Sequence, residues 1–272
     1  LANADGDADS DGLANLQERL HGTDPQQADP DGDGLNDAAE VLVHGTDPFR
    51  ADTDGDGLPD GWEAGHGLNP LADDAAEDPD SDGLTNRQER DRGTDPQAAD
   101  TDGDGQFDGW EAGHGLNPLV NDAAGDPDGD GLANLEEQTH GTNPQAADTD
   151  RDGLNDYAEA VTLGTNPLAA DTDGDQLPDG WEIAHGLNPL AHDAAADADS
   201  DGLTNAQELG YGTDPQAADT DADGLTDTAE ILTQGTNPLV SDSDSDGLPD
   251  GWEADNGFDP LSDGGLARGL VA

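Results

Sequence analysis

The chain has 272 residues, 66 acidic against 7 basic, and a formal net charge of −59 at pH 7. That charge excludes a conventional nucleic-acid binder, because phosphates would be repelled, and no apolar run approaches the ~20 residues of a membrane span. Cysteine is absent, which removes disulfides and thiolate zinc centres, and Leu, Ile, Val and Phe supply only 40 residues, too few for one large core at this charge.

The acids follow a fixed spacing that starts near the N-terminus. Residues 7–18, DADSDGLANLQE, place Asp7, Asp9 and Asp11 at positions one, three and five, glycine at six, Asn15 at nine and Glu18 at twelve. This is the loop of an EF-hand. Alternate carboxylates can point inward together, the glycine permits a backbone angle barred to most residues, and the glutamate closes the shell with two oxygens. Calcium is the cation that such a set suits, since it takes six to eight oxygens in flexible geometry, whereas magnesium demands a tighter octahedron and keeps its waters. Leu16 and Leu20 then follow at helical spacing and Gly22 stops the run, so a helix of about two turns is expected.

Ten further loops repeat the pattern in chain order. Loop 29–40 offers Asp29, Asp31, Asp33, Asp37 and Glu40. Loop 52–63, DTDGDGLPDGWE, offers Asp52, Asp54, Asp56, Asp60 and Glu63, with the Leu58 carbonyl expected at position seven. Loop 78–89 offers Asp78, Asp80, Asp82, Asn86 and Glu89, and loop 100–111 offers Asp100, Asp102, Asp104, Asp108 and Glu111. Loop 126–137 supplies Asp126, Asp128, Asp130, Asn134 and Glu137; loop 148–159 supplies Asp148, Asp150, Asp152, Asp156 and Glu159. In loop 171–182 the residues are Asp171, Asp173, Asp175, Asp179 and Glu182, and in loop 197–208 they are Asp197, Asp199, Asp201, Asn205 and Glu208. Asp219, Asp221, Asp223, Asp227 and Glu230 belong to loop 219–230, and Asp242, Asp244, Asp246, Asp250 and Glu253 to loop 242–253. Each loop has acids at positions one, three, five and twelve and seven have one at position nine, so 51 of the 66 acids sit at ligand positions.

Without metal, neighbouring loop carboxylates repel by roughly 3 kcal/mol per pair at about 5 Å and an effective dielectric of about 20. Metal affinity and folding are then one free energy, and about eleven calcium ions, one per loop, are expected. The expected fold class is an elongated calcium-stabilised repeat array of EF-hand-like loops, helix stubs and turns, with little or no sheet and no single hydrophobic core.

Loop starts are 22, 23 or 26 residues apart, and the longest step always follows a Trp-bearing loop. An Asn-type, a middle and a Trp-type loop thus form a superrepeat of 71 residues, whose second copy lacks its middle loop. The expected blocks are 1–77, 78–125, 126–196 and 197–261, with 262–272 as a tail or the approach to another domain. Departures fall at Gln176, in a glycine position; at Gln106, where Phe107 is expected to supply the missing apolar contact; and at Arg151, a lone positive charge in a loop.

The DTDGDGLPD, DTDGDGQFD and DTDGDQLPD runs at 52, 100 and 171, joined by GTDP or GTNP turns, resemble thrombospondin type-3 repeats in their bacterial form. The resemblance covers nearly the whole chain. It implies a calcium-wrapped rod in a secreted or surface protein such as an adhesin, with the loop carboxylates as ligands. Unlike the animal version, this chain has no cysteine to share the load.

Other residues leave alternatives open. Trp62, Trp110, Trp181 and Trp252 either pack on the following GLNPL segment or its equivalent, or line a contact face. His21, His44, His66, His114, His140, His185 and His192 mostly follow helix stubs, where an imidazole can cap carbonyls. Asp74, Asp122 and Asp193 either cap a turn or reach a neighbouring calcium. No constellation marks an active site, and an enzyme is not expected. The leading expectation is an extracellular structural rod that displays flanking domains or assembles with copies of itself into a fibre. A calcium-regulated binding module using its Trp-bearing repeats, for a protein or glycan, and a disordered acidic calcium buffer are the alternatives. The start at Leu1 without any methionine suggests a processed chain or an internal stretch.

Overall fold

The computed structural model describes residues 4–263; most of the 262–272 tail lies outside them. The chain forms two compact units. One comprises the residues up to Pro127 with Ala133–Gln138, the other Asp128–Leu132 with the residues from Thr139 onward. Both are built from the same repeating element, a curled acidic loop that runs into a short helix. Among the described residues there is no extended strand, only an isolated bridge at Phe258.

The helices are α1 Asn15–His21, α2 Asp37–Ala39, α3 Asp60–Gly65, α4 Asn86–Arg92, α5 Asp108–His114, α6 Asn134–His140, α7 Asp179–Ala184, α8 Asn205–Tyr211, α9 Asp227–Ala229 and α10 Asp250–Asn256. Each begins on a loop's ninth residue, so positions nine and twelve stand three apart and share one helix face. In α4 and α8 a Thr–Gln pair closes the N-terminus: Gln88 N–H donates to Thr85 Oγ1 and Thr85 N–H to Gln88 Oε1, as Thr204 and Gln207 do.

The middle-type repeats differ by one residue, with a structural consequence. In the first repeat Gly22 N–H closes on Glu18 O at 2.7 Å, four residues back. In the second the glycine stands five residues past the glutamate, and Gly45 N–H closes on Glu40 O at 2.6 Å. That extra residue widens the helix into π turns at Glu40–His44, Ala158–Leu163 and Glu230–Gln234. The same residue makes the middle step 23 long where the Asn-type step is 22.

Hydrophobic burial is local. The position-seven leucines Leu13, Leu58, Leu84, Leu132, Leu177 and Leu203 account for most of the buried apolar side chains. The fifth loop corrects an expectation: Gln106 itself is fully buried in the leucine's place, while Phe107 remains 50% exposed. The backbone register decides this, since Gln106 holds position seven while Phe107 is the N-cap of α5.

Successive repeats are joined by the position-five aspartates. One oxygen of each accepts from its own position-seven N–H, as Leu35 N–H to Asp33 at 2.7 Å. The other accepts from the next repeat: Asp11 from Ala38 N–H, Asp33 from Gly61, Asp82 from Gly109, Asp130 from Tyr157, Asp152 from Gly180, Asp201 from Thr228 and Asp223 from Gly251. The approach explains the glycine of DGWE. A Cβ at Gly61, Gly109, Gly180 or Gly251 would collide with the carbonyl oxygen of Asp33, Asp82, Asp152 or Asp223.

Candidate metal centres

Within a loop the backbone N–H groups turn inward onto the carboxylates. In loop 52–63 Asp52 accepts from Gly55 N–H at 2.6 Å with one oxygen and from Gly57 N–H at 3.0 Å with the other. Asp54 accepts from Asp56 N–H at 3.0 Å and Asp56 from Leu58 N–H at 2.8 Å. This curl requires left-handed backbone at position four as well as six, as at Gly55 (φ 88°) and Gly57 (φ 98°). The position-four requirement was visible only as a preference for Gly or Ser, and Arg151 meets it at φ 69°. Gln176 holds φ 83° and donates to Asp171 at 2.8 Å, so the eighth loop keeps the common geometry at a cost in backbone strain.

Asp52, Asp54 and Asp56 bring oxygens within 4.8 Å of one another, and the Asp7–Asp9–Asp11 and Asp29–Asp31–Asp33 trios do the same. Two other groups join neighbouring segments. Asp33 and Glu40 meet Asp60 of the next loop, and Asp56 and Glu63 meet Asp74 of the connector. Of the two alternatives for Asp74, the structure therefore brings it to the carboxylates of the preceding loop.

Position nine divides by its neighbours. Asp60 is held by Thr53, whose N–H and Oγ1 donate to its two oxygens at 2.8 and 2.6 Å, and Asp108, Asp156, Asp179 and Asp227 are held by the corresponding threonines. The Asn-type loops at 78–89, 126–137 and 197–208 follow a long connector instead. There Asn86 Nδ2 donates to Asp74 O at 2.9 Å, and Asn134 and Asn205 donate to Asp122 O and Asp193 O. An aspartate has no donor for that carbonyl, which explains the alternation of Asn with Asp.

The decisive feature is what is left over. One oxygen of Asp9, Asp31, Asp54, Asp80, Asp102, Asp150, Asp173, Asp199, Asp221 and Asp244 is buried without a hydrogen-bond partner. So are both oxygens of Glu18, Glu63, Glu89, Glu111, Glu182, Glu208 and Glu253. In the middle-type repeats threonine occupies one oxygen, as Thr46 does on Glu40, and leaves the other. Buried unpaired carboxylate oxygen is costly. Burial, reinforced by the neighbouring aspartates, pushes the carboxyls of Glu40, Glu63, Glu89, Glu111, Glu159, Glu182 and Glu230 up to about 8. A hard divalent cation would satisfy this all-oxygen set, and the residues present fit one.

The histidines and tryptophans serve one another. His66 Nδ1 lies 2.7 Å from Trp62 O while its ring stacks on the indole at 4.4 Å, and His114 and His185 sit likewise on Trp110 and Trp181. In the last repeat Asn256 takes the carbonyl and Phe258 takes the ring.

Loops that present buried oxygen to a cation, on stubs too short to stand alone, define the class: a metal-binding acidic repeat array. More particularly, the chain belongs to the bacterial TSP3 repeat family. The family's pattern matches at residues 7–28, 29–51, 52–72, 78–99, 100–121, 126–147, 148–170, 171–191, 197–218, 219–241 and 242–262. No curated protein matches the chain. The family is one of calcium-binding structural repeats rather than of enzymes.

Proposed function

We propose that the chain is a calcium-dependent extracellular spacer, without enzymatic activity of its own, that holds flanking domains apart or assembles with its own copies into a surface fibre. The observation that carries this reading is the recurrence of buried, unpartnered carboxylate oxygens at positions three and twelve. Positions one, three, five, nine and twelve supply the ligands, with one calcium per loop as the minimum. Eleven ions carry +22, which takes the formal −59 to −37. Groups such as Asp33–Glu40–Asp60 add candidate sites between repeats. The 71-residue superrepeat, with blocks 1–77, 78–125, 126–196 and 197–261, is the proposed unit of construction. No helix among the described residues is long and apolar enough to cross a membrane.

The test is small-angle scattering with circular dichroism through a calcium titration from chelator. A compact chain of this length would have a radius of gyration of ~18 Å and an unfolded one ~58 Å. Conversion from a coil-like profile to a rod-like one, with new helix and at least about eleven ions bound, supports the spacer. A profile that stays coil-like with calcium overturns it and leaves an acidic buffer.

A further inference from the structure

The threonine at loop position two both accepts and donates. In loop 52–63 the Thr53 N–H and Oγ1 donate to the two oxygens of Asp60, and Oγ1 itself accepts from Asp47 N–H at 3.0 Å. With an N–H aimed at that oxygen, the hydroxyl hydrogen is directed to Asp60. Thr101, Thr149, Thr172 and Thr220 repeat the arrangement. They accept from the N–H of Asp95, Asn143, Asn166 and Asp214 at 2.8–3.0 Å and donate to the position-nine aspartate at 2.5–2.7 Å.

The groups tied together belong to two repeats. Asp47 follows Thr46, whose Oγ1 donates to Glu40 at 3.3 Å. Adjacent turn residues thus hold Glu40 directly and Asp60 through Thr53, and these two carboxylates meet Asp33 in one group whose oxygens lie within 4.8 Å of one another. Glu40 keeps one buried oxygen without a partner, and a carboxylate oxygen that accepts one hydrogen bond, as each of Asp60 does, retains a lone pair. Other neighbours meet in the same way. Burial raises the carboxyls of Glu89 and Glu208, and after the aspartates at positions three and five of their own loops the next charges on them are Asp108 and Asp227 of the following loops. The hydroxyl occurs only where position nine is an aspartate: the Asn-type loops carry Ala8, Pro79, Pro127 and Ala198 at position two. Two aspartate loops depart. Ser243 N–H still donates to Asp250, yet Asp250 Oδ2 is buried without a partner. Pro30 offers neither donor to Asp37, whose two oxygens are buried without a hydrogen bond and have only Thr23 of the preceding repeat nearby.

We propose, on the calcium reading above, that the position-two hydroxyl is a positioning residue for calcium held between repeats: Thr53 sets Asp60 towards Asp33 and Glu40, so that the third repeat supplies a ligand to the second and calcium uptake by the two is coupled. An unheld aspartate would lose side-chain freedom on binding and could turn to either loop. Two donors from one residue fix both oxygens before the cation arrives, as outer-shell partners of metal ligands do. The hydroxyl also binds the turn that leaves the second loop, so the ligand and the repeat it serves are held by the same atom.

The experiment is a calcium titration of the full chain, followed by the backbone amide signals of Gly34 in the second loop and Gly57 in the third. Thr53→Val keeps the side chain's shape and deletes the hydroxyl. It should raise the calcium midpoint at Gly34 about tenfold, with a smaller change at Gly57 and none at Gly202 of the distant ninth loop. Asp60→Asn should raise the Gly34 midpoint at least as far, and combining the two should add little, because the hydroxyl acts through that carboxylate. A merely structural hold on the Asp47 turn would instead add to the effect of Asp60→Asn. Should Thr53→Val fail to fold with calcium, Asp60→Asn alone decides which loop the carboxylate serves. A midpoint that moves at Gly57 and not at Gly34, no movement at either, or additive effects overturn the proposal. Circular dichroism of the parent chain separates this from the spacer reading. A parent that gains no helix with calcium overturns the spacer, whereas one that folds while both variants titrate like it overturns the positioning role alone.

Discussion

Gln106 shows how finely position seven is set. Its amide is fully buried and neither polar atom of the side chain has a protein partner. Gln106→Leu should therefore stabilise the calcium-loaded chain by about 1–2 kcal/mol, through apolar gain and removal of an unsatisfied amide; a thermal melt that falls or stays level would contradict the assignment. At position nine, Asn86→Asp removes the side-chain donor to the Asp74 carbonyl, leaving the Glu77 N–H at 2.9 Å, and adds a carboxylate. A loss of about 1–3 kcal/mol is expected, read as an earlier chelator-induced loss of helix. The requirement was legible in the sequence as an Asn that always accompanies the long connector. Its cause was not, because the partner is a backbone carbonyl twelve residues away.

At the scale of the element, each helix is a stub fixed at both ends by its loop glutamate and its left-handed glycine, and its neighbours lock onto it by backbone contact. Gly61→Ala places a methyl group against Asp33 O and breaks the Gly61 N–H bond to Asp33. Overpacking of this kind costs about 1–3 kcal/mol, and it should appear as faster amide exchange in repeats two and three while distant repeats keep theirs, as expected of chains whose repeats contact only neighbours. Uniform loosening of every repeat would show longer-range coupling. The π turns were legible only as a 23-residue step; an extra residue does not announce whether it will bulge a helix or lengthen a turn.

For the molecule as a whole, protons and calcium compete for the same oxygens. The buried Glu40, Glu63, Glu89, Glu111, Glu159, Glu182 and Glu230 lie near 8 when folded without metal and near 4.5 when unfolded, so the metal-free fold binds more protons than the coil. Its stability is then fullest below about 4.5 and is lost as the pH rises towards about 8. Calcium must displace those protons, so its binding should release protons below pH 8 and its apparent affinity should rise from pH 5 to 8. Calorimetry in two buffers of different ionisation enthalpy measures the release; none at pH 6 would show that the glutamates are not ligands.

The sequence by itself determined the loops, their number, the helix stubs and the stopping glycines, because every one of these depends on residues within a few positions of one another. The charge imbalance likewise required a cation in place of a core. Tertiary structure decided the relations between repeats: that Asp33 and Asp56 serve two segments at once, that Asp74 turns to Glu63 of the preceding loop, and that Gln106 is inside and Phe107 outside. Periodicity states how far apart two loops are along the chain. It carries no information on which face of one meets the other, since that follows from backbone approaches, such as Gly61 on Asp33, that only the folded chain brings together.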